Sequence, residues 1–146
     1  MSATQQMTQQ LVVFALGTEE YALPIQQVQE IIRYAEPRAV ASDEPWVRGV
    51  ISLRGKIIPV FDLGLRIGLH VEQGDDQKIV IVESDGATAG VIVDEVEEVL
   101  TVEASQLDEM PGTSGDGIQA IAKIDDRLVV LLDPASLLGA VEPAYA

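Results

Sequence analysis

Arg48-Gly49-Val50-Ile51-Ser52-Leu53-Arg54-Gly55-Lys56-Ile57-Ile58-Pro59-Val60-Phe61 reads as two short apolar strands, 48–53 and 57–61, folded about a tight Arg54-Gly55 turn. The pattern recurs. Residues 11–16 and 21–23 flank Gly17-Thr18-Glu19, residues 79–82 and 89–93 flank Asp85-Gly86, and residues 118–124 and 128–132 flank Asp125-Asp126. Asp-Gly is a strong hairpin signal, because both residues tolerate positive φ. Four hairpins of short strands predict an all-β protein.

The hairpins also form a duplication. Shifted by 68 residues, Leu11-Val12-Val13-Phe14 falls on Ile79-Val80-Ile81-Val82, and Gly17-Thr18 on Asp85-Gly86. Ile25, Val28, Glu30, Ile31 and Ile32 fall on Val93, Val96, Glu98, Val99 and Leu100. At a shift of 70 to 71, Ile51 falls on Ile121, Lys56 on Arg127, Phe61-Asp62 on Leu132-Asp133 and Gly68 on Gly139. Apolar matches alone are weak, but turns, a glutamate, an aspartate and a terminal glycine in step are not. A repeat of this length is a small folding unit, so the chain is expected to form two similar five-stranded lobes. Closing each into a barrel removes its exposed strand edges.

The expected boundaries are a segment without fixed structure over 1–9, a single domain over 10–140 and a tail over 141–146. Lobe one spans about 10–70 and lobe two about 78–140, with exchange of strands between them left open. Asp62 is expected to cap a short helix over 63–67, and Asp133-Pro134 to start another over 135–138. Gly68 and Gly139 then end them. A third helical turn is expected at Asp43-Glu44-Pro45-Trp46, with Trp46 capping a lobe's core. The stretches 70–77 and 109–117 are a connection and a mobile loop.

With 146 residues, 47% apolar but only 4% aromatic, the core must be built from Val, Ile, Leu and Ala. The net charge of -15 repels phosphate backbones and anionic lipid, so neither nucleic acid nor direct membrane binding is expected. It fits basic protein partners, or a surface that merely keeps the molecule soluble. No cysteine is present, which excludes disulfides, thiol catalysis and zinc–thiolate sites. Residues 1–10 are polar and uncharged, unlike a signal peptide, and no apolar run approaches the roughly 18 residues that span a bilayer. A cytoplasmic protein is expected.

Nothing assembles an active site. The one histidine, His70, lies in the interlobe connection, where a solvated side chain rather than a catalytic base is expected. Asp94-Glu95-Glu97-Glu98 superficially suggests a metal site, but it interleaves with Val93, Val96 and Val99, as a solvated face does. Neither a metal nor a cofactor is expected. What remains is surface. Ile25, Val28 and Ile31, like Val93, Val96 and Val99, recur every three residues, which does not fit strict strand alternation and predicts a helical turn before each strand. These residues are either core or the matching walls of a groove at the lobe boundary, able to take a partner's apolar face. Arg54 is either a solvated turn charge or a planar, multi-donor group for carboxylates and backbone carbonyls.

Three stretches resemble the bacterial chemotaxis coupling protein (CheW) family. They are Leu11-Val12-Val13-Phe14-Ala15-Leu16-Gly17-Thr18-Glu19-Glu20-Tyr21 with Val28-Gln29-Glu30-Ile31, the run from Gly49 to Asp62-Leu63, and Gly90-Val91-Ile92-Val93-Asp94 with Val96 and Val99. The middle one is similar to the family signature G-V-x-N-L-R-G-x-I-x-P-V-x-D-L, with Ser52 in place of its asparagine. The similarity covers roughly 11–139. It implies two five-stranded SH3-like barrels around a shared core and a non-catalytic adaptor recruited to receptor arrays. The adaptor would couple the cytoplasmic tip of methyl-accepting chemotaxis receptors to the regulatory domain of a histidine kinase. Carried over by motif, the receptor-binding groove comprises Ile25, Val28, Ile31, Val96 and Val99, with Glu30, Gly49, Arg54 and Gly90 beside it. Two other readings remain open at this point: coupling in a pilus-motility or other chemosensory pathway, and a double barrel that binds a small metabolite.

Overall fold

The computed structural model describes residues 8–41, 45–67, 76–109 and 118–135. Within them the chain forms eleven strands: β1 (Thr8–Leu16), β2 (Glu19–Pro24), β3 (Val28–Arg33), β4 (Val47–Leu53), β5 (Lys56–Asp62), β6 (Lys78–Ser84), β7 (Ala87–Val93), β8 (Glu95–Glu103), β9 (Leu107–Glu109), β10 (Ile118–Ile124) and β11 (Arg127–Leu132). All four expected hairpins are present. Arg54-Gly55 and Asp85-Gly86 hold positive φ at both turn positions, 53° and 82° in one and 54° and 84° in the other. That left-handed geometry matches the twist of the flanking strands. Gly17 and Asp125 have positive φ at the first turn position of the other two.

The strands form two sheets, in the orders β8-β1-β2-β11-β10-β9 and β3-β6-β7-β5-β4. Both curl closed. β8 and β9 are one strand interrupted by a 3₁₀ turn at Ala104–Gln106, pairing with β1 before the break and with β10 after it. In the second sheet the chain leaving β3 returns to the far edge. There Arg38 and Val50 exchange backbone hydrogen bonds of 2.8 and 2.9 Å, joining the β3 side to β4. Two five-stranded β lobes result, and the closure leaves few strand edges to aggregate.

The halves of the repeat are not the lobes. One lobe runs without a break over residues 28–93, while the other joins 8–24 to 95–132. The handover shows in two parallel pairings, β2 with β11 and β5 with β7, amid otherwise antiparallel neighbours. β1 begins at Thr8, so residues 8 and 9 correct the expectation of an unstructured start over 1–9. Their polar side chains hide a backbone paired in register with Glu103 and Val102.

Exchange makes a third core between the lobes. Leu11, Val13, Ala22, Val102, Ala120, Ala122, Val129 and Leu131 fill one lobe, and Ile51, Ile58, Val60, Ile79, Ile81 and Ile92 fill the other. Between them lies a shared cluster that includes Phe14, Leu16, Tyr21, Leu23, Phe61, Leu63, Val80, Val82, Val91 and Leu132. Strands β1 and β6 are therefore buried on both faces, with successive residues pointing into different cores. This explains their unbroken apolar sequences, which are more typical of sheets covered on both sides. Trp46 packs against the shared cluster, with the Arg66 guanidinium 5.0 Å above its ring.

The helix α1 (Leu63–Arg66) starts where expected, because the Asp62 carboxylate accepts from the Leu65 N–H at 3.2 Å. Asp133 likewise accepts from the Ala135 N–H at 3.1 Å, and Pro134 and Ala135 are helical. Gly68, Gly139, His70, residues 43–44, 136–138 and 141–146, and most of the loop expected at 109–117 lie outside the described residues.

Candidate functional site

The three-residue spacing of the aliphatic triplets comes from β-bulges. In β3, Val28 pairs with Val82 and Glu30 with Ile81, leaving Gln29 as an extra residue. In β8, Val96 pairs with Phe14 and Glu98 with Val13, leaving Glu97 extra. Gln29 and Glu97 are equivalent under the 68-residue shift, so the bulge itself is duplicated. One inserted residue flips the alternation, placing Val28 and Ile31 on the same face, and likewise Val96 and Val99. Each pair faces the shared core, opposite Val82 and Val80 in one lobe and Phe14 and Val12 in the other. A helical turn is present at Ile25–Gln27, but none precedes Val96; there Asp94 makes a bend, which corrects the expectation of two.

Val28 and Val96 are half-buried against the shared cluster, whereas Ile31 and Val99 are 41% and 51% exposed. Each lobe thus carries an aliphatic residue seated at the seam and a second that opens to solvent. Ile25 is half-buried and joins Pro24, Gln26, Thr8, Gln9, Gln10 and Thr101 around a shallow depression. Gly49 and Gly90 present no side-chain surface. Gly49 is buried against the carbonyl of Arg38, at the bridge that closes the lobe, and Gly90 faces Ile79 within the same lobe.

Arg54 projects from its turn and pairs with Glu30. The Glu30 carboxylate raises the guanidinium's pKa still further, so the charge is permanent. The other lobe repeats the theme around Glu98, the repeat equivalent of Glu30. Arg127 reaches Glu98 at 2.8 Å and grips Glu20 with two bonds of 2.8 and 3.1 Å. Sequence reading singled out the paired glutamates but missed Glu20 and Arg127, whose partnership joins positions 107 residues apart. It also took Asp94 for part of a solvated face. Instead its carboxylate accepts from the Gly17 N–H at 2.7 Å and from Gln77 at 3.4 Å, clasping the β1–β2 turn to the start of β8.

Charge is crowded around Arg127. Its bond to Glu20 is the main cause holding that carboxyl below the ordinary glutamate range. Glu97, hydrogen-bonded to Glu20 and close to Glu95, is held above that range. The two signs oppose each other. The contribution of Glu20 is lost as pH falls through its depressed folded value, whereas that of Glu97 is complete in acid and is lost as pH rises through its raised value. Glu97→Gln should therefore raise the melting temperature at pH 7 by about 1–3 °C, discounted for exposure, and leave it unchanged near pH 4. A melting series across pH checks this, and an equal shift at both ends would rule out the linkage.

Among the described residues, no group of three or more His, Asp or Glu could hold a metal ion, and no helix is long and apolar enough to cross a membrane.

Residues 10–142 match the CheW-like domain family. The chain is 34% identical over 143 residues to the chemotaxis protein CheW of Bacillus subtilis, covering 94% of this chain and 92% of that one. The crystal structure of the scaffolding protein TtCheW from Thermoanaerobacter tengcongensis superposes with a TM-score of 0.80 at 34% identity, covering 87% of this chain and 90% of that one. Protein PilI of Pseudomonas aeruginosa is a weaker relative, 30% identical over 57% of this chain and 47% of its own length.

Proposed function

Because the chain belongs to the CheW-like domain family and is a chemotaxis coupling adaptor, we propose that it joins the cytoplasmic tip of methyl-accepting chemoreceptors to the regulatory domain of the chemotaxis histidine kinase. The receptor tip, a helical hairpin, lies along the seam between the lobes. It contacts Ile25, Val28, Ile31, Val96 and Val99, with Arg54 and Glu30 at the rim. The observation that carries this reading is the exposure of Ile31 and Val99 beside half-buried Val28 and Val96 on two equivalent bulged strands. A helix that buries such a strip completes the coverage of the shared core. Gly49 and Gly90 support the groove from within, through the backbone of the lobe over 28–93.

Fully burying one aliphatic side chain is worth about 1.5–3 kcal/mol. Association entropy consumes much of that across a five-residue patch, so single contacts are expected at about micromolar affinity. Many weak contacts then hold an array at the membrane through avidity, with the adaptor itself cytoplasmic. The charge of -15 supports protein partners over lipid headgroups.

Co-sedimentation with receptor fragments and kinase, read together with the kinase rate, tests this role. The adaptor should bring receptor and kinase into one pellet and place the kinase rate under receptor control. A kinase rate and pellet composition indifferent to the adaptor would refute it.

A further inference from the structure

The two most exposed large aliphatic side chains among the described residues are Ile57, at 63%, and Leu128, at 62%. They are equivalent under the 71-residue shift, each opening a strand just after a hairpin turn. Neither belongs to the triplets at the seam.

Their surroundings carry opposite charge. Ile57 follows Arg54-Gly55-Lys56, and Lys56 is exposed and without an ion pair among the described residues. Leu128 follows Asp125-Asp126-Arg127, in which both aspartates are exposed and unpaired while Glu20 and Glu98 neutralise Arg127. The contrast extends to the lobes. Residues 28–93 hold ten acidic and seven basic residues, a net of -3, and the rest of the chain holds fourteen and two, a net of -12. A duplicated surface has kept its apolar centre and reversed the sign of its rim.

We propose that the Ile57 end of one copy docks on the Leu128 end of a second copy of this chain, with Lys56 facing Asp125 and Asp126. The reading is independent of the groove. The contact is heterologous, so each copy keeps a free end and association runs head to tail. With one aliphatic anchor on each side it is weak, and opposite rims make it sensitive to salt.

Sedimentation velocity of the full chain tests it. At low ionic strength the weight-average mass should climb above 15.7 kDa with concentration and return to that value in about 0.5 M salt, where screening is short-ranged. Lys56→Glu gives a copy with two acidic ends, and the double variant Asp125→Asn with Asp126→Lys gives one with two basic ends. Asparagine is chosen because residue 125 has a φ of 56° and must tolerate the left-handed region. Each variant alone should stay monomeric, with a melting temperature close to the parent's, and an equimolar mixture should associate at least as strongly as the parent. Leu128→Ser should abolish association without reversing charge. A parent that stays at 15.7 kDa throughout would overturn the proposal, as would variants that associate singly or a mixture no heavier than its parts. Ends that capture only the kinase's regulatory domain, and never another copy, would also overturn it.

Discussion

Gly49→Ala is expected to cost about 3–5 kcal/mol and lower the melting temperature by roughly 8–15 °C, the largest stability loss of any single methyl group added here. Two causes combine. Gly49 has a φ of 143°, a region almost reserved for glycine, and an added Cβ would sit 2.0 Å from the Arg38 carbonyl oxygen. That carbonyl accepts from the Val50 N–H at 2.9 Å in the bridge that closes the lobe, so it cannot retreat without breaking the closure. Gly86→Ala is the internal control. Its φ is 84°, yet nothing lies within 4 Å of the added Cβ, so backbone strain alone should cost about 1 kcal/mol. Thermal melts of the pair separate strain from collision, and equal losses would show that the Arg38 contact does not matter. Any loss of receptor coupling in Gly49→Ala then reports an opened lobe rather than a lost surface contact.

Val99→Asp and Ile31→Asp should have the largest functional effect with the fold intact. Both side chains are substantially exposed, so a carboxylate there retains its water and should cost less than about 1 kcal/mol of stability. When a receptor helix covers that strip, the same carboxylate must be desolvated without a partner, a penalty of several kcal/mol. Receptor affinity should therefore fall by at least about a hundredfold, since each 1.4 kcal/mol is tenfold. Val96→Asp is a poorer test. Val96 packs against the shared cluster, and a carboxylate there should destabilise the fold itself. Melting curves together with receptor-dependent kinase rates check the prediction. Normal receptor control in folded Val99→Asp would remove the groove from consideration.

Much of the architecture was legible in the sequence because it rests on local rules. Asp85-Gly86 and Arg54-Gly55 announce hairpins through their turn chemistry, and Asp62 announces a capped helix. The duplication was visible because equivalent turns and glutamates keep step. The allocation of strands was not, since nothing local distinguishes β2 pairing with β11 from β2 pairing within its own half. The spacing of Val28 and Ile31 suggested a helical period, because an inserted bulge residue and a helical turn both put neighbours three apart on one face. Only the register, with Gln29 and Glu97 left over, separates the two. The Arg127 cluster escaped notice for a similar reason: the distance along the chain is long and the chemistry unremarkable. Gly49 and Gly90 were assigned beside a surface, yet their closest neighbours are Arg38 and Ile79, because a motif marks a position without saying which way it faces.

Everything functional turns on whether a receptor tip covers the seam between the lobes. Methyl NMR of the full chain, titrated with a soluble fragment of the receptor's helical tip, reads this directly. The largest shifts are expected at Ile25, Val28, Ile31, Val96 and Val99, with those at Ile57 and Leu128 unmoved. Shifts absent from that strip and gathered on any other face would contradict docking between the lobes.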